Sequence, residues 1–282
     1  MKNFSLVLMV LFALLLSSHL HAQSSEPKWL VKPTMDYNGF DAFSEGLAWV
    51  ESNGKYGFIN KKGKAIIPIK YDKANSFSNG LVIVQLNGKM GFINKKGKEV
   101  IPLKYDNVGG FFEGLSWVKL NGKLGFIDKK EKEIIPFKYD GGSDFSEGLA
   151  RVKLNDKVGF IDKTGKEVIP IKYEYAADFS EGLNWVKLNG KYGVIDKIGT
   201  EITPFKYNKG YAFSGGLARV GANKYGFIDK TGKEVIPMKY DEVDNFSEDL
   251  ATVRLNGKWG FIDKTGKEVI TMKGVVVTFN LF

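Results

Sequence analysis

Residues 57–72 read Gly57-Phe58-Ile59-Asn60-Lys61-Lys62-Gly63-Lys64-Ala65-Ile66-Ile67-Pro68-Ile69-Lys70-Tyr71-Asp72. The run returns six more times with small changes, and a stretch close to F-S-E-G-L follows most copies. Its first glycine recurs as Gly91, Gly125, Gly159, Gly193, Gly226 and Gly260, at steps of 34 residues with one step of 33. The short step falls where Gly221-Ala222-Asn223-Lys224 has lost a turn glycine. A period of this size marks a tandem array, because each unit is too small to bury its apolar face without a neighbour.

One copy reads as β-structure throughout. Leu47-Ala48-Trp49-Val50 is a short β-favouring run. Asn53-Gly54 follows, a pair suited to hairpin turns because both residues tolerate positive φ. Tyr56 to Asn60 make a second strand, and Lys61-Lys62-Gly63-Lys64 fits a longer hairpin loop. Ala65 to Tyr71 make a third, in which Pro68 cannot donate to a ladder and so marks an edge, a bulge or an end. Proline returns at Pro102, Pro136, Pro170, Pro204 and Pro237. The connector from Asp72 to Ser78 is polar around Phe77, which is expected to plug the core. No window carries a helical period. The expectation is an all-β protein with three short antiparallel strands per unit, each first glycine lying where a strand packs tightly against the next unit.

The favoured arrangement of the seven units is an open superhelical stack of β-hairpins, with a seven-bladed β-propeller as the alternative. Propeller blades carry four strands in about 40–50 residues, more than one copy offers. A membrane barrel needs strands of about 9–11 residues with an apolar outer band, and lysines stud these shorter runs. An open stack needs capped ends. Residues 36–282 are therefore read as one repeat domain, with a half-repeat at its start and a divergent cap at 274–282.

Residues 1–22 resemble a secretory leader. Lys2 supplies the charge, Phe4 to Leu16 the apolar stretch, and Leu20-His21-Ala22 the small residue before a cut ahead of Gln23. Residues 23–35 are a lead-in. Both histidines, His19 and His21, lie in the leader, and there is no cysteine. The expected product has no disulfides, is exported to the periplasm, the cell surface or the medium, and has no stable membrane insertion.

The G-F-I-D-K-x-G-K and I-P-x-K-Y-D runs, with an aromatic before the first glycine as in Trp259-Gly260, resemble the WG (KWG) repeat family of bacterial proteins. The resemblance spans about residues 36–274. Tryptophan precedes the glycine only at Trp259; Tyr56, Met90, Leu124, Val158, Tyr192 and Tyr225 fill the place elsewhere, so it asks for bulk. The resemblance implies a β-rich module, often exported, without a common activity or catalytic residues to carry over.

Without its leader the chain has no His or Cys for a catalytic triad or a thiolate metal site. Its carboxylates recur in register, as in Glu45, Glu113, Glu147 and Glu181, in Asp128, Asp162, Asp229 and Asp263, and in Asp72, Asp106, Asp140 and Asp241. A catalytic pair should instead be singular, and a lysine after most Asp residues disfavours a cation. No enzyme, cofactor or metal is expected, the alternative being a carboxylate-dependent hydrolase of envelope glycan.

The informative positions are those where the repeat varies. One reads Trp49, Ile83, Trp117, Arg151, Trp185, Arg219, Thr252; two residues on it reads Glu51, Gln85, Lys119, Lys153, Lys187, Gly221, Arg254. Stacked units would align these into ladders. Trp49, Trp117, Arg151, Trp185 and Arg219 with Lys119, Lys153 and Lys187 form a candidate interaction surface, the competing reading being that the tryptophans fill gaps between units. The formal net charge of +9 suits an acidic protein or an anionic envelope polymer or glycan. Export and the interleaving of lysines with acids argue against nucleic acid.

Overall fold

The structure is a computed structural model that describes residues 37–273. The leader, the lead-in and the 274–282 cap lie outside them. Among the described residues the regular elements are all strands, arranged as seven antiparallel sheets in tandem. The units span 39–71, 73–105, 107–139, 141–173, 175–207, 209–240 and 242–273.

The first unit contains β1 (Gly39–Phe40), β2 (Leu47–Ser52), β3 (Lys55–Asn60) and β4 (Ala65–Tyr71), paired in that order. Asn53 and Gly54 turn the β2–β3 hairpin with φ of 52° and 75°, conformations that favour these two residue types. In the next turn Asn60 Oδ1 accepts the N–H groups of Lys62 and Lys64 at 2.9 and 3.1 Å.

Each unit has one strand more than the sequence suggests. The polar connector hides a two-residue strand, such as Lys73–Ala74, which pairs with the following long strand at Lys73↔Gln85 and Ala74↔Val84. Two residues leave no alternation to read. In the fifth unit the fourth strand dwindles to bridges at Tyr192↔Tyr207 and Ile195↔Glu201.

The first glycine of each copy serves its own sheet rather than the neighbouring unit. Pairing of β3 with β4 jumps from Tyr56↔Tyr71 to Phe58↔Ile67, leaving Pro68, Ile69 and Lys70 opposite Gly57 alone. The bulged backbone presses onto the glycine: a Cβ there would stand 2.7 Å from the Ile67 carbonyl oxygen. At Gly159 it would stand 2.6 Å from that of Ile169. One bulge thus explains both the invariant glycine and a proline without an N–H to donate.

The sheets stack face to face. One core cluster takes Leu47, Phe58, Ile67 and Tyr71 from unit 1 and Phe77, Val82, Val84 and Ile93 from unit 2. An aromatic pair marks most junctions: Phe58–Phe77, Phe92–Phe111, Phe126–Phe145, Phe160–Phe179 and Phe227–Phe246 have centroids 4.8 to 5.1 Å apart. Burying such a side chain contributes roughly 1.5–3 kcal/mol, against about 0–1 kcal/mol for an exposed ion pair. Apolar stacking therefore holds the units together.

The stack is open. Ring closure would bring Phe261 of the last unit onto Phe43 of the first, yet these are 36% and 47% exposed. Equivalent rings inside the array, such as Phe58 at 1% and Phe77 at 3%, are buried.

Candidate functional site

The ladder headed by Trp49 points forward, into the next unit. Arg151 donates from Nη1 to the Ala176 carbonyl at 2.7 Å, and Arg219 donates in the same way to Val243 at 2.5 Å. Trp185 occupies that place against Gly210, where a Cβ would overlap the indole. Its exposure is 3%, so the expectation of an exposed row of indoles is corrected at this position. Trp49 and Trp117 are half-buried against the junction cores. The position is mortar between units because its strand presents that face to the next sheet.

The basic ladder stays nearer the surface. Lys119 is half-buried opposite Leu124, Lys153 is exposed and pairs with Asp156 at 2.8 Å, and Lys187 lies 5.6 Å from the Tyr192 ring centroid. Arg151 and Lys153 line a cavity of about 320 Å³ with Glu174 and the exposed Tyr175.

A wider opening includes Ile83 of the first ladder together with residues that neither ladder contains. Between units 2 and 3 a groove of about 450 Å³ is lined by Asn75, Asn79, Ile83, Gly110, Phe112 and Lys129 among others. Two units further on the same positions enclose about 240 Å³ around Asp144, Arg151 and Asp178. The groove thus belongs to the repeat, and its width at 2/3 follows from departures there. Ile83 stands where Arg151 stands in the narrower copy, and Gly110 where Asp178 stands. Phe112 replaces the serine of F-S-E-G and is 49% exposed.

The charge at this groove also departs from the pattern, differently from the 6/7 junction, where Gly215 replaces the glutamate and Lys264 pairs with Asp249 instead. At four junctions a glutamate of one unit holds a lysine of the next: Glu45–Lys95 at 3.0 Å, Glu113–Lys163 at 2.8 Å, Glu181–Lys230 at 2.7 Å, and Glu147–Lys197. Lys129 occupies the equivalent place at 2/3, but Asn79 stands where its glutamate belongs. Its ammonium lies 5.9 Å from the Phe111 ring centroid and has no carboxylate partner among the described residues. Sequence reasoning missed Phe112, Asn79 and Lys129, although the break in F-S-E-G was visible.

The repeated carboxylates are committed elsewhere. Lys55 holds the Asp72 carboxyl below its usual range, as Lys95 does for Glu45. The Thr164 hydroxyl lowers Asp162 in its turn, as Thr231 lowers Asp229 and Thr265 lowers Asp263. Asp144 goes the other way: burial pushes its carboxyl up against a bond from Trp117, and its Oδ1 has no hydrogen-bond partner among the described residues.

The model of the family described as WG containing repeat matches residues 26–56, 56–89, 90–123, 125–157, 159–192, 192–224, 225–259 and 259–273. No curated protein matches the chain. Among solved structures, the extracellular domain of a one-component system from B. thetaiotaomicron is similar at 12% identity and a TM-score of 0.34, over 85% of this chain and 41% of that one. PorZ, a surface component of the type-IX secretion system of Porphyromonas gingivalis, is similar at 12% identity and 0.33, over 85% and 39%. Hsv2p of Kluyveromyces lactis is similar at 9% identity and 0.40, over 80% and 92%. The chain thus spans about two fifths of the length of the first two.

Proposed function

The chain belongs to the WG containing repeat family, and from that premise we propose an exported, non-enzymatic binding module that works through the groove between units 2 and 3. Its ligand is an anionic glycan of the cell envelope. The observation that carries this is the meeting of an exposed ring, Phe112, with a cation that has no carboxylate partner among the described residues, Lys129, on one 450 Å³ groove. A sugar ring lays its C–H face on the aromatic, its carboxylate meets the ammonium, and Asn75 and Asn79 offer amides to hydroxyls. Export rests on the leader-like residues 1–22. The non-enzymatic reading rests on the repeated carboxylates being engaged in turns and junctions, as Asp72 is with Lys55 and Asp162 with Thr164. No cofactor or nucleic acid enters the proposal.

Titration calorimetry of the full-length protein with an oligouronate tests it. Phe112→Ser and Lys129→Ala should each abolish the heat of binding while leaving the melting temperature within the range of a surface change. Undiminished binding by both variants would remove the assignment.

A further inference from the structure

We propose that the chain assembles head to tail with further copies of itself, the forward face of unit 7 docking on the backward edge of unit 1. Most internal junctions draw on the same small set of contacts, an aromatic pair, an isoleucine over a turn glycine and a Glu–Lys pair, and the two ends of the array carry the two unmatched halves of that set.

The forward half ends on Phe261 and Ile270. Phe58, Phe92, Phe126, Phe160 and Phe227 are each at most 3% exposed beneath the next unit, and Phe261 is 36% exposed. Ile67, Ile101, Ile135, Ile169 and Ile236 are each at most 1% exposed, and Ile270 is 52% exposed. The backward half begins on Phe43, equivalent to the buried Phe77, Phe145 and Phe213, and on Phe40 at 78% exposure. Val50 on the same sheet stays covered, so the open part of unit 1 is the edge bearing these two rings.

The halves match in detail. Phe261 on Phe43 would reproduce the aromatic pair seen at Phe58–Phe77. Ile270 would meet Gly63 as Ile67 meets Gly97 and Ile135 meets Gly165. Glu248 holds the place of Glu45 and Lys61 that of Lys95; both are exposed and neither has an ion-pair partner among the described residues. Side-chain size is matched as well. Inside the array a large ladder residue faces a small one, Trp185 on Gly210 and Arg151 on Ala176. At the ends the sizes reverse together: the ladder closes on Thr252, and its counterpart in unit 1 is Phe40. A pair that is complementary only across the two ends, and unmatched within one chain, selects a second copy as occupant. Such a contact is heterologous and adds copies one by one.

Sedimentation of the full-length protein at rising concentration, in the absence of any glycan, tests this. The wild type should grow in mass by whole chains. Phe43→Asp and Phe261→Asp should each sediment as one chain, and their equimolar mixture should form a dimer and nothing larger, since one intact junction remains between them. Glu248→Lys should weaken growth and Lys61→Glu, added in the same chain, should restore it. A wild type that stays at one chain over its whole soluble range overturns the proposal, as ring closure or a cover from residues 274–282 would produce. A mixture of the two Asp variants that stays monomeric overturns it as well.

Discussion

Trp185 lies against Gly210 of the next unit, so closely that a Cβ on the glycine would overlap the indole. The tryptophan is 3% exposed and packs with Tyr207 of its own unit and with Phe213 across the junction. Trp185→Ser should therefore lower stability by about 3–5 kcal/mol, as large-to-small core changes do. Thermal unfolding would show this as a large fall in melting temperature. Gly210→Val should be comparably harmful for the opposite reason, an overlap with no room to relax.

Gly159→Val tests the bulge. Its side chain would meet the Ile169 carbonyl and the Ile171 backbone, which cannot rotate aside. The expected loss exceeds about 4 kcal/mol, read as a shifted denaturation midpoint. Gly148→Val is the comparison: a Cβ there meets nothing within 4 Å, so only the strain of its φ of 85° applies.

The repeat, the hairpin turns and the absence of helix were legible because period and turn chemistry are local. Asn53-Gly54 and Pro68 each announce a backbone requirement without help from the fold. The short strands at Lys73–Ala74 and its equivalents were not legible, since two residues carry no periodicity. The role of Gly57 was half legible: close approach was evident, but its partner is set by the register slip against Ile67. The groove was hidden because Ile83 is far in sequence from Gly110 and Phe112 and meets them only once two sheets stack.

Ile83→Trp restores the residue type found at Trp49, Trp117 and Trp185 and fills the groove from within. Cavity-filling changes commonly stabilise by about 0.5–2 kcal/mol. The variant should melt at or above the wild-type temperature while losing oligouronate binding, both readable on one sample by calorimetry.

Asp144→Asn addresses pH. Burial raises the folded-state pKa of this carboxyl, so it opposes folding in full above that pKa, and the penalty shrinks as pH falls below it and is gone below the unfolded-state pKa of ~4. The variant should melt higher than wild type at neutral pH, and the difference should shrink on acidification. The lowered carboxylates act oppositely: Glu45 and Asp72 support folding above the unfolded-state pKa of ~4 and lose that support below it. Melting curves across pH 3 to 7 would show both trends, with acid destabilisation dominating the wild type because its lowered groups are many.

Hydrogen exchange of the full-length protein with and without an oligouronate tests the central claim most directly. Binding at the 2/3 groove predicts added protection confined to the Phe112 loop and to the turn carrying Lys129, with the equivalent loops at the other junctions unchanged. Protection spread evenly over all junctions, or located around Arg151 and Tyr175 with none at Phe112, would contradict it.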